Sequence, residues 1–590
     1  MLHPRSTRRI RIHILLASLC ILFGLWWLTS DPWDPTTSNN NDHLIRHGVK
    51  THHPLDDVIT EAQNAHEARI SHRVTSLHGA VYAYRQRRGR HPPPGFDKWY
   101  ARALASKAVI VESFFDQIYE DLEPFWGLEP ASLRSALADW TWTLRIRDGR
   151  IKDIPQGRFR SRVWGEMINK VARDLTNMDV AINPLDEPRL FVPFSKVDIL
   201  VKAASTQRDR MMSLPVNQIL SRPSAWISAP TTGVPKPEWI TKGQLWRYVL
   251  ETCPPAKDKP MTGDDQTILS YATNWTTAKD ICANHHWADL HGSLINPATM
   301  EISTDLLPIF SAAKLQGSND ILLPPPAYYT NDVLFTGKGW FGDGKTSTPW
   351  HKKLHGLVWR GKATGGLIHE PTVEKSHRQR LVSMLNASNV PSILTGNSSS
   401  WPTSAEFSSK DSVTLASWLQ STADAAFTDT MCPAKAKDPT KACLSMAQHF
   451  QTAAPLPMKK QYQYKYLPDI DGNSLSGRFR AFLTSNTCTM KATIFKEWHD
   501  DRLMPWVHFV PLDITLRDLW TTMAYFIGFA GSRAHDVEGE RIAEEGRLWA
   551  EKVMRKEDME LYVHRVLLEY GRICDDERDR LGFTDDLKAG

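Results

Sequence analysis

"YKYLPDIDGNSLSGRFRAFLTS", residues 464–485, changes character at its centre. The first seven residues read as a strand and the last nine as a helix, so the residues between them form a strand-to-helix turn. Such a turn presents free backbone N–H groups and the positive end of a helix dipole, a pairing that suits an anion. Arg478 falls about one turn into the helix, within reach of the same anion. Asp469 and Asp471 admit two other readings. They form an Asp-x-Asp pair able to hold a cation, or they solvate the turn while Gly472 supplies its special dihedral. An EF-hand loop starting at Asp469 needs Gly at its sixth position and Glu at its twelfth. Those positions hold Ser474 and Arg480, which excludes that loop, while a cation on a diphosphate stays open on spacing.

"VWRGKATGG", residues 358–366, repeats the theme: a strand, Arg360, Gly361, then Lys362 and Thr364 on a glycine-rich loop. Two strand-end anion sites in one α/β region point to a diphosphate, although neither of these two turns carries GxxxxGK[ST] or GxGxxG. Around them, "LHGLVWRG", "AAFTD" and "WVHFVPL" read as strands and "HRQRLVSML" as a helix, the pattern of a parallel sheet with crossovers. His508, inside the last strand, reads as a packed residue. Upstream, "DVAINPLDEPRLFVPF" and "LPIFSAAKLQGSNDILLPPPAYY" each read as two extended segments joined by a polar turn. Ile70, Val74, Leu77, Val81 and Tyr84 share one face of a helix that begins near Asp56 and ends at "GRHPPPGF". "FFDQIYEDLEPFW" reads as an amphipathic helix stopped by Pro124, with Asp116, Glu120 and Asp121 on its solvated face. Residues 335–353, rich in Gly, Lys and Thr, read as a linker. Glu540 to Arg580 reads as one long amphipathic stretch with Leu548, Val553, Met559, Tyr562, Val566 and Tyr570 as its buried stripe.

The net charge of +5 over 590 residues is too small to argue for nucleic acid, and 22 tryptophans leave some to stack on sugar rings. Arg5, Arg8, Arg9 and Arg11 precede an apolar run from Ile12 to Leu28. Its length is near the lower limit for a bilayer, and no small-x-small cleavage site follows. The segment is expected to be a signal anchor with the basic end cytosolic and the rest lumenal, in an early secretory membrane. In an oxidising lumen Cys432 with Cys443, and Cys253 with Cys282, are candidate disulfides. Asn274, Asn386 and Asn397 begin candidate glycosylation triplets. No CxxC or Cys/His zinc spacing is present.

The ordered blocks together resemble glycosyltransferase family 90, which includes fungal capsule-associated transferases and animal protein O-glucosyltransferases. The resemblance rests on residues 464–498 followed by "PWVHFVPL", on "VWRGKATGG", and on "RGRHPPPGFDKWY", "FFDQIYEDLEPFW", "DVAINPLDEPR" and "PIFSAAKLQGSNDILLP". It covers about residues 80 to 580. The resemblance implies a GT-B fold of two Rossmann-like lobes, a UDP-sugar donor carrying xylose or glucose, inversion at the anomeric carbon, and no required metal or other cofactor. It makes Asp186 the catalytic base and assigns Asn473, Ser474, Ser476, Gly477 and Arg478 to the donor diphosphate, completed by Arg360, Gly361, Lys362 and Arg378. Lys362 stands where the animal members have serine. Asp320 and Arg189 fall on the acceptor side. The implied organisation is a cytosolic tail (1–11), an anchor (12–29), a stem (30–78), an acceptor-side lobe (79–345), a donor lobe (346–540) and a C-terminal helical segment (541–590), in a single-pass type II Golgi or ER membrane protein with a glycan or glycoprotein acceptor. The other readings are a metal-dependent transferase using Asp469 and Asp471, and an inactive lumenal glycan-binding protein of the same fold. A glycoside hydrolase needs two opposed carboxylates, and Asp186 has no evident second partner.

Overall fold

Runs of aromatic and β-branched residues, punctuated by Gly and Pro, build two five-stranded sheets in a computed structural model that describes residues 52–226, 236–255, 271–331, 348–367, 373–396, 407–432 and 441–587. The first sheet contains β1 (Thr143–Arg147), β2 (Arg150–Asp153), β3 (Met178–Ile182), β4 (Ile309–Ser311) and β5 (Ile321–Leu322) in the order β2-β1-β3-β4-β5. β3, β4 and β5 run parallel, and β1 pairs antiparallel with β3. The second sheet contains β6 (Leu354–Lys362), β7 (Ala423–Asp429), β8 (Tyr464–Ile470), β9 (Cys488–Ala492) and β10 (Val510–Pro511), in the order β10-β9-β8-β6-β7 and wholly parallel. The chain steps outward from β6 to β7, then crosses back to β8 and continues the other way. The crevice between the C-terminal ends of β6 and β8 is therefore the topological switch point, where open α/β sheets bind ligands.

The helices that frame these sheets are α1 (Pro54–Ser71), α2 (Leu77–Arg88), α3 (Phe96–Ala105), α4 (Phe159–Asn169), α5 (Pro326–Tyr329), α6 (His377–Met384), α7 (Phe479–Thr484), α8 (Asp536–Val553) and α9 (Lys556–Ile573). One core gathers Trp99, Trp164, Val180 and Phe310 around α9, and a second gathers Trp359, Tyr466, Met490 and Val510 under the parallel sheet. Leu55–Gly590 form one compact unit. Leu55 and Ile59 of α1 are buried in the second core, so the outer part of the expected stem packs on the body.

Several sequence expectations are corrected by local chemistry. The single helix expected from Asp56 to Tyr84 is two, because the Ser76 hydroxyl accepts from the Gly79 N–H and caps a new start at α2. The C-terminal stretch also breaks: Asp558 accepts from the Arg555 N–H and begins α9, while Leu548 on α8 is exposed rather than buried. "WVHFVPL" yields only Val510–Pro511, since Trp506 takes a φ of 65° and turns the chain. Asp121 is not solvated: its buried carboxylate accepts from the Lys314 ammonium at 2.6 Å and the Leu322 N–H at 2.8 Å, and so pins β5. Cys253–Cys282 and Cys432–Cys443 are disulfides. Asn274 and Asn386 are exposed. Segment 12–29, residues 335–347 and Asn397 lie outside the described residues, and among the described residues no helix is long and apolar enough to cross a membrane.

α9 is joined to residues 84–119 through buried ions. Glu569 accepts from the hydroxyls of Tyr84 (2.8 Å) and Tyr119 (2.9 Å) and from Arg572. Arg565 pairs with Glu112 at 3.0 Å and lies over the rings of Phe96, Trp99 and Tyr84 at 4.4–4.8 Å. Burial works to raise the Glu569 carboxyl, but Arg572 and Arg565 hold it below the usual range. Removing one member leaves uncompensated buried charge, which typically costs about 3–5 kcal/mol. Glu569→Ala is expected to lower the free energy of unfolding measured in urea by an amount of that order, and an unchanged value would show the network to be dispensable.

Candidate active site

Pro468 lies inside β8 and has no N–H to donate. The paired residues of β6 and β8 are Leu354 with Tyr464 and Leu357 with Tyr466, and the pairing goes no further, although both strands continue. Register pairing ends before the proline, and two guanidinium groups fill the gap in the hydrogen bonding of the strand ends. Arg478 Nη1 donates to the Arg360 carbonyl at 2.8 Å. Arg378, on α6, donates through Nε to the Asp471 carbonyl (2.6 Å), through Nη1 to the Lys362 carbonyl (2.8 Å) and the Thr364 hydroxyl (2.7 Å), and through Nη2 to the Ile470 carbonyl (3.3 Å). Both cations lie within 6 Å of the Trp359 ring centre. Burial, and then the neighbouring Arg478 charge, push Arg378 down to about 9; burial likewise lowers Arg478. Arg378 is a strand-end clamp with its donors engaged. Arg478 Nη2 is buried without a partner.

The remaining residues expected at the donor site take different roles around these strand ends. Arg360 bonds the Asp424 carboxylate at 2.7 Å, and the more exposed Lys362 pairs with Asp429 at 3.2 Å. A Cβ at Gly361 would lie 2.6 Å from the Trp359 ring, so the ring requires glycine there. Asn473 Oδ1 accepts from the Gly365 and Gly366 N–H groups and ties the two turns together. The Ser474 hydroxyl is buried and unpartnered, Ser476 donates to Asp469, and Gly477 is exposed. Gly472 is not in a left-handed conformation. Its missing side chain instead admits Arg378 Nη2 and the Thr364 hydroxyl, which would stand 3.3 and 3.4 Å from a Cβ.

The two aspartates are held by protein groups. Asp469 faces Lys491 Nζ at 3.3 Å; Lys491 bonds Glu497 at 3.1 Å; the Tyr328 hydroxyl lies 3.0 Å from Glu497 and 2.8 Å from the Ser476 carbonyl. This closed ring fixes Ser476 through both side chain and backbone, and Tyr328 brings α5 of the first sheet to it. Asp471 Oδ2 accepts from the Ile494 N–H (2.9 Å) and faces His291 Nε2 (3.3 Å). His291 stacks on His377 with ring centres 3.8 Å apart, and His377 Nε2 contacts the Asp471 carbonyl. Sequence reasoning missed Lys491, Glu497, Tyr328, His291 and His377, which come from four separate segments with no spacing to link them. Among the described residues no group of three His, Cys, Asp or Glu is arranged to hold a metal ion.

On the first sheet, Asp186 follows the C-terminal end of β3. Asn183 shapes the turn, its Oδ1 accepting from the Leu185 N–H and its Nδ2 donating to the Glu187 carbonyl. Arg160, on α4, holds Asp186 Oδ1 and the Leu185 carbonyl, while the Asp186 side chain stays 44% exposed. Asp320 accepts from the Arg189 and Leu190 N–H groups and the Ser311 hydroxyl, and so laces the ends of β4 and β5 to the Asp186 turn. Arg189 is buried over Trp140 and Trp239 and pairs with Glu301. One segment bridges the two turns: the Ser293 hydroxyl donates to the Asn473 carbonyl, and the Thr299 N–H to Glu187. Six residues span at most about 22 Å, so one short segment braces both turns. A cavity of about 550 Å³ lined by Lys98, Arg173 and Arg222 abuts Met178, at the opposite end of β3.

Burial pushes His291 and His377 well below the usual imidazole value and raises Asp471 to about 7. In the unfolded chain these histidines take up protons below about pH 6.5 and in the folded chain they do not, so they cost stability as pH falls. Asp471 acts oppositely: between about pH 3.9 and 7 the folded state binds its proton and the unfolded state does not. The urea midpoint is therefore expected to fall from pH 7.5 to 5, and to fall more steeply in Asp471→Asn; an unchanged slope in that variant would refute the assignment.

Residues 406–578 match the model of glycosyl transferase family 90. Protein O-glucosyltransferase 3 of Rattus norvegicus is 28% identical over 110 residues, which cover 18% of this chain and 20% of that protein. The O-glucosyltransferase rumi homolog of Aedes aegypti is 31% identical over 114 residues, covering 19% and 27%. Protein O-glucosyltransferase 2 of Danio rerio is 26% identical over 113 residues, covering 19% and 21%. The chain thus spans about a fifth to a quarter of the length of these relatives. The matched stretch holds β7 to α9, and with them the turn carrying Asn473 to Arg478, and is similar to glycosyl transferase family 90.

Proposed function

We propose that the protein is an inverting glycosyltransferase of GT-B type that moves xylose or glucose from a UDP-sugar to a hydroxyl of a glycan or glycoprotein. The observation that carries this reading is the buried, unpartnered Nη2 of Arg478 at the switch-point crevice. Lys491 is shared by Asp469 and Glu497, and Asp471 sits near 7, so the nearby acids offset the two guanidinium groups only in part. A diphosphate supplies the compensating anion, and charge-assisted bonds to it strengthen as the leaving group gains negative charge. Asp186 takes the proton of the acceptor hydroxyl as its oxygen bonds to C1, while the bond from C1 to the diphosphate breaks. In this reading Arg360, Lys362, Arg378 and the Asn473–Arg478 turn shape the donor pocket, and Asp320 and Arg189 support the acceptor side. The apolar run after Arg5–Arg11 supports a type II anchor in a Golgi or ER membrane, with this unit lumenal.

A donor-hydrolysis screen with several nucleotide sugars is the direct test. Product from UDP-xylose or UDP-glucose supports the transferase, and silence with every donor favours a glycan-binding protein without turnover. With the active donor, Asp186→Asn is expected to lose transfer by about 10²–10⁴-fold while still binding UDP. Arg478→Ala is expected to lose about 10²–10³-fold in kcat. Turnover is expected to persist in chelator; strict dependence on an added divalent cation would instead return Asp469 and Asp471 to a metal role.

A further inference from the structure

We infer that Arg160 is the positioning residue of the reaction, fixing which oxygen of Asp186 receives the proton. This rests on the reading of Asp186 as the base. Arg160 reaches the Asp186 turn twice, through Nη2 to Oδ1 of the side chain and through Nη1 to the carbonyl of Leu185. A guanidinium fork held at two points resists both rotation of the carboxylate and drift of the backbone beneath it. Oδ2 of Asp186 has no protein partner among the described residues, and the side chain is partly open to solvent. The proton of the acceptor hydroxyl passes to Oδ2; Arg160 keeps its own protons throughout.

The anchor is rigid where it needs to be. Arg160 stands in the first turn of α4, whose Val163, Trp164, Met167 and Ile168 are fully buried and whose Trp164 Nε1 donates to the Pro324 carbonyl just ahead of α5. The competing charges are accounted for. Glu187, next in sequence, is buried and accepts from the Thr299 N–H, and burial raises its carboxyl. Arg158 lies near the Trp142 ring rather than at the carboxylate. Burial, then Arg158, lower the Arg160 guanidinium to about 10, against the pull of Glu187, so it stays charged at neutral pH. Of the two neighbouring acids in "LDEP", only Asp186 is both oriented and open.

The test uses the full chain with the active donor. Arg160→Ala is expected to lower kcat by about 10²-fold, the cost of misplacing a reacting group by about 1 Å, with UDP affinity unchanged. Millimolar guanidinium ion is expected to restore at least tenfold of that loss, and Arg160→Lys to fall between the two, at an unchanged Tm. Wild-type kcat in Arg160→Ala overturns the inference. So does a loss that tracks a lowered Tm and is not rescued by guanidinium. If Asp186→Asn retains full turnover, the base assignment falls and this inference with it; if Asp186→Asn is inactive while Arg160→Ala is not, this inference alone falls.

Discussion

Two parallel strands that stop pairing where a proline interrupts one of them set the geometry of this molecule. Beyond Tyr466, β8 no longer shares register with β6, and the carbonyls at the strand ends need other donors. Arg378 supplies several of them and Arg478 another. Burying two like charges this close is unfavourable unless something offsets them. The nearby acids offset them only in part, because Asp469 faces Lys491 and burial works to keep Asp471 protonated. Arg478 Nη2 is left at the strand-end crevice without a protein acceptor.

The second sheet does not hold that crevice alone. Tyr328, from the end of the first sheet, closes the ring that fixes Ser476, and His291 and Ser293 brace Asp471 and Asn473 from the segment that also reaches Glu187. The Asp186 turn and the Asn473–Arg478 turn are therefore braced by the same few segments. α9, anchored through Arg565, Glu569 and Arg572, draws the C-terminal end of the chain into the core of the first sheet. A displacement of either sheet would strain this shared bracing before it reached the reacting groups.

Much of the second sheet was legible in the sequence. "YKYLPDI" is β8 residue for residue, and "LHGLVWRG" is β6 short of Lys362, because the strands of a doubly covered parallel sheet read as nearly continuous apolar runs. The cysteine pairs followed from the expected compartment, while Arg478, read as one turn into a helix, stands just before one that begins at Phe479. Breaks inside helical patterns were not legible. Ser76 and Arg555 restart helices through caps, and a periodic apolar stripe continues across a cap without a mark. Nor did the sequence reveal which polar residues are buried: Asp121 looks like a solvated face until Lys314 is brought to it from 193 residues away. The function of Gly472 was misread for a related reason. Its role is set by Arg378 and Thr364, neither of which is its neighbour in sequence.

The choice between a cation and an arginine at this site is a choice about what must be built beforehand. A divalent ion brings its charge with the substrate and needs only open carboxylates, so an Asp-x-Asp pair serving it would face the crevice with few protein donors. Here Asp469 is turned toward Lys491 and Ser476, and one oxygen of Asp471 toward Ile494 and His291, so both carboxylates brace the loop. The positive charge is instead held in place by the strand ends themselves. Preorganisation of this kind needs no rearrangement as charge develops on a leaving group. Its cost falls on the folded state, which must keep two guanidinium groups buried and close, and that explains why so many backbone carbonyls are turned toward them.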